Sequence, residues 1–166
     1  MHGMSELSLY LVCGLPGAGK TTRSQQIVNA LRVPHLAADE WVLGLGQSLV
    51  DYEFRVQLQQ CLLVHAGQLL RCGASVVIEF GSWNRAEREA IRQVAVRVGA
   101  RAELHYLDAP LDELVRRVLE RGGPCADVLA SQVLRLESPR FERPTPDEIA
   151  RFDRYFGPDD AWPAVT

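Results

Sequence analysis

A run of strand character, Leu7-Ser8-Leu9-Tyr10-Leu11-Val12-Cys13, passes directly into Gly14-Leu15-Pro16-Gly17-Ala18-Gly19-Lys20-Thr21. From Thr21 the chain is free of Pro and Gly for ten residues. An apolar, aromatic and β-branched run bounded by glycine reads as a buried strand, and the stretch after the turn reads as a helix. A strand feeding a helix through so tight a turn is the first half of a βα unit. A buried parallel sheet flanked by helices is the architecture that such units build.

The spacing of Gly14, four residues, Gly19-Lys20 and then Thr21 is the complete P-loop pattern. Glycines let backbone N–H groups turn inward around phosphate oxygens, and the helix N-terminus behind them adds positive potential. Gly14, Pro16, Gly17, Ala18, Gly19, Lys20, Thr21 and Thr22 are therefore the expected ATP cradle, with Lys20 on the β- and γ-phosphates and the Thr21 hydroxyl on Mg²⁺. Composition singles out the same residue. Lys and Arg together number 18, and Lys20 is the single Lys. Coding bias toward Arg explains the rest, but not why this position kept a compact ammonium in place of a planar fork.

The remaining chain alternates between the two periodicities. A first helix is expected over about Lys20 to Leu31, and Val33 to Asp39 reads as a short second strand ending in an acid, with Pro34 confining it to an edge or to its first residues. Phe54, Leu58, Cys61, Leu62, Ala66, Leu69 and Leu70 recur at helical spacing, so Tyr52 to Cys72 reads as a long amphipathic helix closed by Gly73. Ser75 to Phe80 is the clearest buried strand, and Asn84 with Glu87 resembles a capping box opening a helix through Val98. Ala102 to Leu107 makes another strand, followed by a helix marked by Leu111, Leu114, Val115, Val118 and Leu119. From Arg121 the pattern loosens, and about residues 121–144 read as a short helical lid. Thr145-Pro146-Asp147-Glu148 has the signature of a capped helix running to about Phe156, and a weak fifth strand is expected near Trp162 to Val165. The expected fold is α/β: a three-layer P-loop NTPase with a mainly parallel sheet of about five strands in the order 2-3-1-4-5, residues 1–166 forming one domain.

Bulk properties exclude several classes. No apolar run approaches the roughly 18 residues of a membrane span, and the first residues lack a basic region before an apolar one, so a soluble cytoplasmic protein is expected. The four cysteines form no Cys-x-x-Cys pair and no His cluster accompanies them, which suggests neither a disulfide framework nor zinc. The net charge of −3 offers no long-range pull on nucleic acid, although a local basic patch is compatible with it.

The chain resembles the small P-loop kinases of the zeta-toxin, chloramphenicol phosphotransferase and polynucleotide-kinase-like branch, a group that includes bacterial AAA-domain ATPases. The carriers are the Gly14 to Thr22 loop, Asp39, Val76 to Trp83 with Arg85 and Arg88, Arg117 with Arg121, and Phe141-Glu142-Arg143-Pro144 before Asp147-Glu148. Only the loop is specific by itself. The resemblance implies that Asp39 receives the acceptor hydroxyl proton and that lid arginines contact the transferring phosphoryl group. At the carboxyl end of a strand beside the P-loop strand, Asp39 would be well placed for that role, or would act as a helix N-cap.

Glu79 has the placement of a Walker-B acid holding Mg²⁺, or is a partly buried structural acid. Arg117 and Arg121 lie four apart, as a clamp over ATP phosphates or as surface ion pairs with Glu113 or Glu120. Arg85, Arg88 and Arg55 are candidate acceptor contacts or solvated first-turn arginines, and Trp41 and Trp83 wall an acceptor pocket or fill the core. His35, His65 and His105 carry no assigned role. The implied activity is ATP- and Mg²⁺-dependent phosphoryl transfer to a hydroxyl of a small-molecule acceptor. A polynucleotide 5′-hydroxyl kinase is an alternative, although that relative carries an Arg three residues beyond the acid where this chain has Val42. A nucleotide-operated binding module without an acceptor is a second alternative.

Overall fold

The computed structural model describes residues 6–162. Five strands form one parallel sheet in the order β2-β3-β1-β4-β5, matching the expected order. β1 (Ser8–Cys13) is buried at every residue, as a strand flanked on both edges and covered on both faces must be. It pairs with β3 (Val76–Glu79) through Leu11 opposite Ile78, and with β4 (Arg101–Tyr106) through Leu11 opposite Leu104. β2 (His35–Ala37) takes one edge beside β3, where Pro34 costs no ladder hydrogen bond and its carbonyl accepts from Val77 N–H. Among the described residues no helix is long and apolar enough to cross a membrane.

The helices follow the apolar periodicity. α1 (Lys20–Leu31) buries Ile27, and α3 (Tyr52–Arg71) buries Leu58, Leu62, Ala66 and Leu70 along one stripe. Asp51 caps α3, its side chain accepting from Phe54 N–H at 3.0 Å. α4 (Arg85–Val96) opens on the expected cap: Asn84 accepts from Glu87 N–H at 2.8 Å, while the Glu87 carboxylate accepts from Trp83 N–H at 2.7 Å. The helix stops two residues short of the expected Val98. α5 (Leu111–Arg121) buries Leu114, Val115 and Val118.

Three expectations on the chain's course are corrected. The second strand is shorter than Val33 to Asp39, because the chain turns into α2 (Ala38–Gly44) directly after Ala37. The stretch after Gly123 is helical: a short turn, α6 (Ala126–Val128), continues as a π-helix over Leu129–Glu137 and a 3₁₀ turn over Ser138–Arg140, with Ala130, Leu134 and Phe141 buried. The last helix, α7, covers only Pro146–Ile149. Its capping box does not form, since the Thr145 hydroxyl donates to Asp147 and Glu148 turns inward. The fifth strand, β5, is Arg154–Phe156 and not the Trp162 to Val165 segment, of which residues 163–165 lie outside the described residues.

Candidate active site

The P-loop wraps the carboxyl end of β1 and leads into α1. Gly17 has φ 81°, and a Cβ there would lie 2.7 Å from the Leu114 carbonyl oxygen, so the loop can press onto α5 only with glycine at this position. Gly14 and Ala18 are buried, and Pro16 is half-buried. Gly19 has φ 99° and stands at the N-cap of α1, where no side chain caps the helix. A helix start without a side-chain cap leaves its first N–H groups for an anion. Thr21 and Thr22 are exposed at that end.

Lys20 folds back over the loop and donates from Nζ to the Leu15 carbonyl at 3.1 Å. Burial pushes its pKa down, and the carboxylates of Asp39 and Glu79 oppose that shift. The only ammonium in the chain thus sits between the loop and two acids, where a polyanion can replace the Leu15 carbonyl as its partner.

Glu79 ends β3 in the neighbouring strand. Its Oε1 accepts from the Thr21 hydroxyl at 2.8 Å and its Oε2 from His35 Nε2 at 2.9 Å. Burial disfavours its charged form, but these two donors and the Lys20 charge outweigh that penalty and hold the carboxyl below its ordinary range. Among the described residues no three His, Cys, Asp or Glu side chains gather to hold a metal. One hydroxyl and one carboxylate are hard oxygen donors suited to Mg²⁺, and so few of them suit an ion carried largely by phosphate oxygens and water. The donor set fits a nucleotide-borne Mg²⁺ at Thr21 and Glu79.

Asp39 lies in the first turn of α2, one residue past the helix start, so it neither ends a strand nor caps the helix; the N-cap is Ala37, and β2 before it is separated from the P-loop strand by β3. Its carboxylate is 59% exposed and accepts from Arg55 Nη1 at 2.6 Å. Arg55, 22% exposed on α3, also donates to the Leu49 carbonyl at 3.3 Å. The pair spans the mouth of the sheet where α2 meets α3. Trp41 is 44% exposed on α2 and so is not a core residue. Trp83 is half-buried and meets the Phe141 ring edge-on.

Arg88 is a correction. Its guanidinium is fully buried, with Nε and Nη2 on the Glu148 carboxylate at 2.6 and 3.0 Å and Nη1 on the Ser82 carbonyl at 3.0 Å. Enclosed in this way it reaches no acceptor; it fixes the loop after β3 from beneath. Arg85 is half-exposed and pairs with Asp147 at 2.7 Å.

On α5, Arg117 forms the expected helical ion pair and also reaches the P-loop backbone. Nε binds Glu113 at 2.7 Å while Nη1 donates to the Gly17 carbonyl at 3.2 Å, which lays the guanidinium on the P-loop. Arg116 closes the ion-pair network onto Glu113 and Glu120. Arg121 is exposed one turn further on.

Two residues that sequence reasoning passed over belong to this surface. His35 stands two residues before Ala37, which pairs with Glu79, so strand alternation places it on the same face. Asp108 follows β4 and accepts from the Tyr106 hydroxyl at 2.9 Å and from Arg143 at 3.0 Å. It borders a cavity of about 150 Å³ with Leu15, Leu114, Pro139, Phe141 and Arg143. Its position just past a strand's carboxyl end was the available signal.

Known proteins resemble this chain in sequence and in fold. A shikimate kinase of Enterococcus faecalis is 32% identical over 120 residues, 66% of this chain and 64% of that enzyme, so the chain spans just under two thirds of the curated relative it matches. A provisionally named kinase from Chloroflexus aurantiacus, solved as a crystal structure, superposes with a TM-score of 0.60 at 27% identity, covering 78% of each chain. An APS kinase of Mycobacterium tuberculosis, solved with AMPPNP and APS, superposes with a TM-score of 0.68 at 21% identity over 94% of this chain and 90% of that one, a likeness of fold. A family model described as an AAA domain matches residues 9–144, and the chain belongs to that family.

Proposed function

We propose that this member of the AAA domain family is an ATP- and Mg²⁺-dependent phosphotransferase, moving the γ-phosphoryl group to a hydroxyl of a small-molecule acceptor. The observation that carries the reading is the convergence of an uncapped P-loop helix, Lys20 and the Thr21–Glu79 pair at the carboxyl ends of β1 and β3, with Asp39 opposite. Placement within the zeta-toxin and chloramphenicol-phosphotransferase branch belongs to the same proposal, and the kinase names of its relatives support it.

Phosphoryl transfer asks little covalent chemistry of a protein; it asks for in-line positioning, charge neutralisation and exclusion of water. Loop N–H groups and Lys20 would hold the β- and γ-phosphates. Bound at Thr21 and Glu79, Mg²⁺ would supply charge neutralisation on the phosphates. Asp39 would accept the acceptor hydroxyl's proton as the acceptor oxygen bonds to phosphorus and the bond to the β–γ bridging oxygen breaks, leaving ADP. Arg55 fixes the Asp39 carboxylate and would turn toward the acceptor, with Trp41 and Trp83 as pocket walls. Arg117, which rests on the Gly17 carbonyl, would contact the γ-phosphate, and Arg121 would follow as residues 121–144 close as a lid.

Incubation of the protein with γ-labelled ATP and separate pools of metabolites, antibiotics and 5′-hydroxyl oligonucleotides tests the reading. Label is expected in a small-molecule pool. Label in oligonucleotide would replace the acceptor class, and release of free phosphate alone would replace transfer by hydrolysis.

A further inference from the structure

The geometry points to His35 as a positioning residue that fixes Glu79 against Thr21 and thereby sets the Mg²⁺ dependence of nucleotide binding; the inference rests on the nucleotide reading above. Glu79 is one of two protein groups suited to the metal, and a glutamate has three free torsions before its oxygens are placed. Both oxygens are engaged here, Oε1 by the Thr21 hydroxyl at 2.8 Å and Oε2 by His35 Nε2 at 2.9 Å. A carboxylate is acceptor-only, so in the contact with Glu79 the His35 ring donates from Nε2. The two side chains are 10% and 9% exposed, which leaves little water to take the ring's place.

The local structure explains why His35 can do this. β2 is an edge strand parallel to β3, with His35 opposite Val77 and Ala37 opposite Glu79. Alternation puts His35 and Ala37 on one face. Ala37 directly beside Glu79 has no polar group and too little reach, so the donor comes from two residues back along the strand. An outer group that orients a metal-binding carboxylate is worth about 10- to 100-fold in metal affinity.

The test reads the metal and not turnover. Binding of a nonhydrolysable ATP analogue is titrated at increasing Mg²⁺, and the half-saturating Mg²⁺ is compared for wild type, His35→Phe and His35→Gln, with thermal melting of each. His35→Phe keeps the ring and removes the donor, and the half-saturating Mg²⁺ is expected to rise about 10-fold or more. His35→Gln keeps an N–H donor and is expected to recover part of that loss, and to serve as the readout where His35→Phe does not fold. In a Glu79→Gln background the His35→Phe effect should vanish, because the ring acts through that carboxylate.

An unchanged half-saturating Mg²⁺ in folded His35→Phe overturns the assignment, as does an equal loss with and without Glu79. A wild type that binds the analogue equally well without Mg²⁺ also overturns it while leaving nucleotide binding intact. A wild type that binds no nucleotide removes both this inference and the function it rests on.

Discussion

Two ion pairs of equal length sit in opposite surroundings. Arg88 and Glu148 meet at 2.6 Å with side chains 0% and 2% exposed; Arg55 and Asp39 meet at 2.6 Å with side chains 22% and 59% exposed. The first is enclosed, bidentate and completed by the Ser82 carbonyl, so removing one partner strands a charge in the interior. The second is open to water and to a ligand, so its members can exchange partners at little cost. Sequence alone treats these arginines alike, and burial ties one into the scaffold while leaving the other accessible to a ligand.

The largest expected effect is on the open pair. Asp39→Asn should lower phosphoryl transfer about 100- to 10,000-fold while ATP-analogue binding persists and stability moves by less than about 1 kcal/mol. Transfer near the wild-type rate would make the open pair a surface ornament and erase the contrast. Arg88→Ala should destabilise the protein by about 3–5 kcal/mol in denaturant unfolding, and combining Arg88→Met with Glu148→Leu should recover most of that, short of the Ser82 carbonyl's lost donor. A double variant no better than the single would show that the enclosed pair does more than satisfy charge.

An intermediate case sharpens the scale. Arg92 holds the Glu89 carboxyl at about 2, helped by Gln93, with Glu89 24% exposed. Its folded pKa lies below the ordinary 4.5, so its stabilisation is complete above pH 4.5 and is lost as pH falls toward about 2. Acid unfolding curves should show this loss, and Glu89→Gln should flatten it within that window. At the exposed extreme, Arg116→Ala should leave the melting temperature unchanged, although Arg116 bridges Glu113 and Glu120. A clear drop would mean that the surface network is cooperative.

How legible the molecule was in its sequence follows the same division. The P-loop and the α4 cap rest on local chemistry, glycine torsions and an Asx cap, and each is found where the spacing placed it, while the strand order matches the order expected of the fold class. Thr145 to Glu148 carried an equally good capping signature, yet Glu148 was drawn inward by Arg88, 60 residues away in sequence. Tertiary pairing overrode a local preference worth only about 1 kcal/mol. His35 escaped notice for a related reason, since its partner is set by the parallel register of β2 on β3 and no local pattern encodes that register. Arg117 was half legible: its spacing to Glu113 is helical arithmetic, whereas its contact with Gly17 depends on how closely α5 packs on the loop.

The central claim is that the loop from Gly14 to Thr22 holds a Mg²⁺-nucleotide. Calorimetric titration of folded protein with ATP, with and without Mg²⁺, measures it directly. One nucleotide per chain is expected, bound more tightly with Mg²⁺ and lost in Lys20→Ala of unchanged melting temperature. Folded wild-type protein that takes up no ATP at millimolar concentration, or Lys20→Ala that binds as wild type does, would contradict it.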